Sequence, residues 1–239
     1  MSENKQDRGL VLIPAYNEEL RVTKVVLGAL EFLPVLVVDD GSSDATALQA
    51  RSAGAEVIRQ KPNQGKGAAL QAGFTWALNQ NYDFVMTLDA DGQHDPEEIP
   101  SFLSAYSASQ ADLIIGQRDF SSMPAVRRAS NSLGACLLSW AVGQRIPDNQ
   151  SGYRLISRRL MKVLEEPTEP GFEFEVEMIV RCIVNGCELE WVPIRTIYAD
   201  EKSHIRPLHH AIKFFQVSWR ARKTVRTARR EGRLSPANP

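Results

Sequence analysis

Thr87-Leu88-Asp89-Ala90-Asp91-Gly92-Gln93-His94-Asp95-Pro96-Glu97-Glu98 places two carboxylates and an amide at alternating positions where an apolar run gives way to a helix start. The preceding Tyr82 to Leu88 is short and β-prone. Asp95 reads as an N-cap, Pro96 as the first helical residue and Glu98 as an acidic capping partner. The acids therefore sit at the C-terminal end of a strand. In an extended segment, residues two apart project to one side, so Asp89, Asp91 and Gln93 are expected to offer oxygens to one hard cation, Mg²⁺ or Mn²⁺. Phosphates of a substrate diphosphate and water would complete its shell. A D-x-D run alone also fits acids that merely solvate a turn, so its neighbours decide.

Upstream, Leu10 to Ile13 reads as a strand, Pro14 to Asn17 as a loop and Glu18 to about Phe32 as a helix. Val35 to Val38 is the next strand, and Asp39 to Asp44 a turn in which Ser43 or Asp44 caps a helix running to Ala53. Val57-Ile58 forms a third strand, and Lys66 to Asn79 a helix. Short apolar strands alternating with amphipathic helices predict an α/β protein whose mostly parallel sheet is covered on both faces. Such sheets bind ligands outside the carboxyl ends of their strands. The loops at 14–18, 39–44 and 89–93 all fall at that edge.

The chain has 239 residues, 43% of them hydrophobic, which suits one large α/β domain or a domain with a small appendage. A formal net charge of −1 gives no global reason to expect nucleic acid as a partner. Cys136, Cys182 and Cys187 lack metal-ligand spacing and read as reduced packing residues of a cytoplasmic protein. Met1 to Arg8 holds no signal-peptide core, and the most apolar region, Val25 to Val38, is broken by Gly28, Glu31 and Pro34, so no membrane-spanning helix is expected. The expected organisation is a flexible start at 1–8, a domain at 9–210 and a helical basic tail at 211–239.

Four motifs resemble those of family 2 glycosyltransferases with the GT-A (Rossmann-like) fold: Ile13-Pro14-Ala15-Tyr16-Asn17-Glu18, Val38-Asp39-Asp40-Gly41-Ser42-Ser43-Asp44, Asn63-Gln64-Gly65-Lys66-Gly67 and Leu88 to His94. Within that family the chain is similar to the dolichyl- and polyprenyl-phosphate sugar synthases from about Leu10 to Phe215. Asp148-Asn149-Gln150-Ser151-Gly152-Tyr153-Arg154 is similar to their D-x-x-S-G-[FY]-R segment, and Ser203-His204 stands where relatives often have Ser-Lys.

The resemblance implies nucleotide-sugar contacts at Pro14, Ala15, Tyr16, Glu18, Val38, Asp40, Asp89, Ala90 and Asp91. Their chemistry suits it: Tyr16 packs on a base, Glu18 and Asp40 accept from base or ribose, and Pro14, Ala15 and Val38 line a wall. Lys66, at a glycine-rich helix start lacking P-loop spacing, either contacts the nucleotide or faces solvent. Asp91 and Arg118 are the candidate catalytic groups. Arg118 is also placed at an acceptor phosphate, together with Ser203, His204, Arg127 and Arg128. The last two either receive a lipid phosphate from a mobile loop or start an exposed basic helix ahead of Leu133 to Val142. In Gly171 to Glu177, Glu173 is assigned to the acceptor pocket, whereas Glu175 and Glu177 are read as helix-start charges.

The implied reaction is inverting transfer of a sugar from a GDP- or UDP-linked donor to a polyprenyl phosphate. Members with saccharide acceptors often carry Q-x-x-R-W; here Gln216-Val217-Ser218-Trp219-Arg220 interchanges Trp and Arg. A nucleotidyltransferase would begin with a Gly-rich turn in place of Pro14 to Asn17. A silent nucleotide-sugar-binding module is disfavoured by the intact Asp89 and Asp91. Finally, 211–230 holds seven Lys or Arg and no acid beside Phe214, Phe215 and Trp219. It reads either as an anchor on the cytoplasmic face of a membrane or as a docked helix at 211–219 with a solvated tail; a membrane-protein partner is the other route to the lipid.

Overall fold

The computed structural model describes residues 7–122, 125–165, 174–195 and 207–234, with backbone alone at 122, 125–127 and 207–213. Seven strands form one sheet: β1 (Gly9–Ala15), β2 (Val35–Asp39), β3 (Glu56–Arg59), β4 (Phe84–Thr87), β5 (Leu113–Arg118), β6 (Arg154–Ser157) and β7 (Leu189–Ile194). Their order is β3-β2-β1-β4-β6-β5-β7. All neighbours pair in parallel except β6, which runs antiparallel to both β4 and β5. The register Pro14↔Val38 and Leu12↔Thr87 brings the ends of β1, β2 and β4 to one edge, where the motif loops emerge.

Every residue of β1 and β2 is buried, as strands covered on both faces require. Side-chain alternation divides them between two cores. Leu10, Leu12, Leu36 and Val38 face the layer of α3 (Lys66–Asn79), α6 (Arg158–Leu164) and α7 (Phe174–Val184). Val11, Ile13, Val35 and Val37 face that of α1 (Val22–Leu30), α2 (Thr46–Ser52) and α4 (Ile99–Ser109). Cys182 and Cys187 are buried as packing predicts, whereas Cys136 is exposed.

Several boundaries differ from the sequence expectation for identifiable reasons. Glu18 to Arg21 forms a turn outside α1, because the Glu18 and Glu19 amides donate to Thr46 Oγ1 and Asp44 Oδ2 at 2.8 and 3.2 Å. Asp44 itself accepts from the Thr46 amide at 3.0 Å, but α2 begins after Ala45. Asp95 holds the Glu97 amide at 3.1 Å, so Pro96–Glu98 is a 3₁₀ turn leading into α4. Glu98 does not reach back to complete a capping box; it accepts from the Arg195 amide at 3.2 Å.

The two largest differences concern α5 (Ala125–Val142) and α8 (Pro207–Arg230). Arg127 and Arg128 lie in the first turn of α5, the helix start rather than the mobile loop of the two alternatives. The C-terminal basic segment is part of one long helix docked on α5 and α7. It buries Phe214, Val217, Ala221, Val225 and Ala228 at helical spacing. Among the described residues no helix is long and apolar enough to cross a membrane.

Candidate active site

A cleft of about 310 Å³ opens at the C-terminal edge of β1, β2 and β4, lined by Pro14, Ala15, Tyr16, Glu18, Asp40, Lys66, Ala69, Asp89, Ala90 and Asp91. Of the ten residues assigned from sequence to nucleotide-sugar contact, only Val38 lies elsewhere. It is 0% exposed, turned with Leu36 into the core beneath the cleft.

The walls are built by side chains that bind backbone. Asp40, 3% exposed, accepts from the Gln64 and Gly65 amides at 2.8 and 2.7 Å. Both its oxygens thus fix the glycine-rich loop that starts α3. Asp39 accepts from the Ser42 amide at 3.0 Å and pairs with Arg59 Nε at 2.9 Å. Ser42 Oγ in turn accepts from the Asn17 amide at 2.9 Å, tying the first two motif loops together. Tyr16 is half exposed over the opening, and Glu18 is paired with Arg21 at 3.0 Å.

The acidic run is a turn, not the extended segment expected. Gly92 has φ +76°, which an L side chain rarely adopts, and Asp91 Oδ1 accepts from the Gln93 amide at 2.9 Å. Asp89 and Asp91 both reach the cleft, but Gln93 is not among the lining residues. Among the described residues, no three His, Cys, Asp or Glu side chains gather for a metal ion. Two carboxylates are still a suitable protein share for Mg²⁺ or Mn²⁺, which take one or two carboxylates when substrate phosphates supply further oxygens. The donor set fits an ion held jointly by Asp89, Asp91 and a diphosphate.

Asp89 belongs to a charge cluster that closes the floor of the cleft. Lys66 Nζ lies 2.7 Å from Asp89 Oδ1 and 3.0 Å from Glu175 Oε1. Burial opposes charge on all three, yet their mutual attraction wins: Lys66 titrates above its usual value, and Asp89 and Glu175 below theirs. Lys66 therefore faces Asp89 and Glu175 while lining the cleft. Glu175, read from sequence as a helix-start charge, is the acid that completes this cluster.

Below the cluster lies Arg154, 0% exposed, donating to the carbonyls of Ser151, Glu175 and Asn149 at 2.8, 2.6 and 3.3 Å. Burial pushes its guanidinium down to about 10 against the pull of Glu175 and Asp148, so it remains a cation at neutral pH. His94 Nδ1 accepts from the Asp89 amide at 3.1 Å. Burial holds the imidazole below its usual value despite Asp89 and Asp91, which suits this neutral acceptor. The ring packs on Tyr153, whose hydroxyl donates to the Asp95 carbonyl at 3.2 Å.

Arg118 meets Asp148 in a two-pronged pair, with Nε–Oδ2 at 2.6 Å and Nη2–Oδ1 at 2.9 Å. Asp148 is wholly buried and also accepts from the Gln150 amide at 3.0 Å. Arg118 is thus oriented by the segment carrying Gly152 and Arg154, at the same sheet edge. The side chain of Arg128 is exposed on α5. Ser203, His204 and Glu173 lie outside the described residues.

The sequence profile of Glycosyl transferase family 2 matches residues 10–164. The chain belongs to this family. It is 34% identical over 206 residues to the undecaprenyl-phosphate mannosyltransferase of Micrococcus luteus, covering 78% of this chain and 82% of that protein. It is 34% identical over 203 residues to the polyprenol monophosphomannose synthase of Mycolicibacterium smegmatis, covering 78% and 76%. The fold matches glucosyl-3-phosphoglycerate synthase from Mycobacterium tuberculosis, solved with Mn²⁺, UDP-glucose and phosphoglyceric acid. That match has a TM-score of 0.71 at 18% identity, over 93% of this chain and 79% of the other. The sheet with helices on both faces is the GT-A fold, and the chain is a glycosyltransferase by family.

Proposed function

We propose that this glycosyltransferase moves a hexose from a GDP- or UDP-linked donor to a polyprenyl phosphate, with inversion at the anomeric carbon. The observation that carries this reading is the cleft itself, which Asp89, Asp91, Tyr16, Glu18 and Asp40 line together. The two polyprenyl-phosphate-acting relatives named above support the choice of acceptor. The enzyme would work peripherally at the cytoplasmic face of a membrane, where such a lipid presents its headgroup.

A phosphate monoester is anionic near pH 7, so its oxygen can attack the anomeric carbon without a side-chain base. The new C–O bond forms as the bond to the donor diphosphate breaks on the opposite face, and the nucleoside diphosphate departs. A bound Mg²⁺ or Mn²⁺ would supply positive charge to that leaving group. Asp89 and Asp91 would hold the ion, and Lys66 keeps Asp89 ionised and oriented. Arg118 has five N–H donors, of which Asp148 takes two, so its fixed guanidinium can also meet phosphate oxygens.

The acceptor assignment is tested by offering a polyprenyl phosphate and the matching polyprenol with a labelled donor and Mg²⁺ or Mn²⁺. Product should form on the phosphate alone. Comparable turnover on the alcohol would overturn the base-free mechanism and point to a hydroxyl acceptor.

Gly152 gives a second test. A Cβ there would lie 2.8 Å from Asp89 Oδ2 and 3.1 Å from Lys66 Nζ, so Gly152→Ala must push the paired carboxylate out of place. Isothermal titration should show donor binding weakened about fivefold or more, equivalent to roughly 1 kcal/mol. Unchanged affinity would remove Asp89 from donor binding.

A further inference from the structure

The outer surface of α5 and α8 combines two features that the catalytic cleft does not use. On α8, Phe215, Trp219, Lys223, Arg226 and Arg230 recur at helical spacing and are all exposed, forming a stripe beside the buried one. Trp140 of α5 joins it, with ring centroids 6.3 Å from Trp219, which lies 6.1 Å from Phe215. These three aromatic residues are 46–57% exposed and contiguous, unlike scattered surface apolar residues. Arg222 stacks on Trp140 with its guanidinium carbon 4.0 Å from the ring centroid and donates to the Trp140 carbonyl at 2.8 Å. A groove of about 250 Å³ beside Trp219 is lined by Arg222, Lys223, Arg226, Thr227 and Arg230.

Charge identifies what this face meets. Ala125–Val142 and Pro207–Arg230 together contain nine Lys and Arg and no acid, in a chain whose formal net charge is −1. The excess of positive charge is therefore local to these two packed helices. A second copy docking about a two-fold axis would set cations against cations, which the charge disfavours. An anionic bilayer suits both features: aromatic rings settle at headgroup depth while lysine and arginine meet lipid phosphates. The position is also suitable. β5 delivers the chain into α5 from the cleft edge, and the segment after α5 returns there, where Asp148 grips Arg118.

We infer that the joined face of α5 and α8, with Trp140, Phe215 and Trp219 as its apolar contact and Lys223, Arg226 and Arg230 as its charges, seats this protein on an anionic lipid surface. The inference rests on the proposed lipid acceptor for its purpose, but not for its physical basis. Binding needs both sets of residues: the cations draw the face to the surface, and the rings hold it there. Because screening acts over about 10 Å at 0.1 M salt, attachment weakens as salt rises.

Full-length protein is sedimented with vesicles of phosphatidylcholine alone or mixed with phosphatidylglycerol, across a salt series. Parent protein should bind the mixed vesicles and leave the neutral ones in solution. Lys223→Gln, Arg226→Gln and Arg230→Gln together should weaken binding about tenfold or more and flatten the salt dependence. These side chains are exposed, so the fold is retained. The separate pair Phe215→Ser and Trp219→Ser, with folding checked by thermal melting, should also release the protein. Equal sedimentation of parent and charge variant overturns the inference, as does a concentration-dependent dimer that the variants abolish.

Activity on a water-soluble short-chain prenyl phosphate separates this from the acceptor reading. The charge variant should retain parental turnover on that substrate. Vesicle binding without any transfer by the parent would sink the acceptor and leave the surface standing; transfer without vesicle binding would do the reverse.

Discussion

Asp91→Asn should yield a folded protein that transfers sugar at least about 10²-fold more slowly, the scale expected for losing a charged group that stabilises a leaving diphosphate. The substitution is chosen because Asp91 Oδ1 accepts from the Gln93 amide at 2.9 Å. An amide oxygen preserves that bond and hence the turn at Gly92, while removing the negative charge proposed to hold the cation. The melting temperature should stay near that of the parent, and the response to added Mg²⁺ or Mn²⁺ should be lost. Transfer with a labelled donor and a thermal scan are both needed. Parental turnover in the folded variant would exclude Asp91 from the reaction.

Local sequence was sufficient for what a parallel sheet collects by construction. The turns after β1, β2 and β4 meet at one edge whatever their sequence separation, so Pro14 to Glu18, Asp40 and Asp89 to Asp91 could be grouped before any contact was known. Val38, assigned through the family resemblance, lies just inside that edge and is 0% exposed. The same alternation that puts Leu36 in the core puts Val38 there too. In the acidic run, the Asp-Gly pair already carried a turn signal; reading the run as extended misplaced Gln93.

The rest depends on pairings without a local signature. Lys66, Asp89 and Glu175 come from a helix start, a loop and a helix that are distant in sequence. Antiparallel β6 is inserted between β4 and β5. Its antiparallel pairing with β5, Ile115 opposite Arg154, sets the segment before β6 beside the end of β5 and so brings Asp148 to Arg118. The delayed start of α1 also has a remote cause, since Thr46 and Asp44 hold the Glu18 and Glu19 amides in the preceding turn. By contrast, the early start of α5 was legible: Ala125 to Leu133 has no Gly or Pro and suits a helix throughout.

Arg154→Met should be the most destabilising single change in this region, at about 3–5 kcal/mol, the usual cost of breaking a buried charged network from one side. Methionine fills much of the volume, so the loss is mainly polar. The Ser151, Glu175 and Asn149 carbonyls lose a common donor. Glu175 and Asp89 lose a cation that favours their ionised forms. With Arg154 present, Glu175, Asp148 and Asp89 are balanced by Lys66, Arg118 and Arg154; without it, a net negative charge is enclosed beneath the cleft. The penalty cannot be relieved simply by solvating Arg154's neighbours, because Asp148 and Ser151 are themselves at most 1% exposed. Urea unfolding followed by circular dichroism should show a lower midpoint with a similar slope. A loss under about 1 kcal/mol would mean that the carbonyls find other donors and that Arg154 is not the keystone of the cluster.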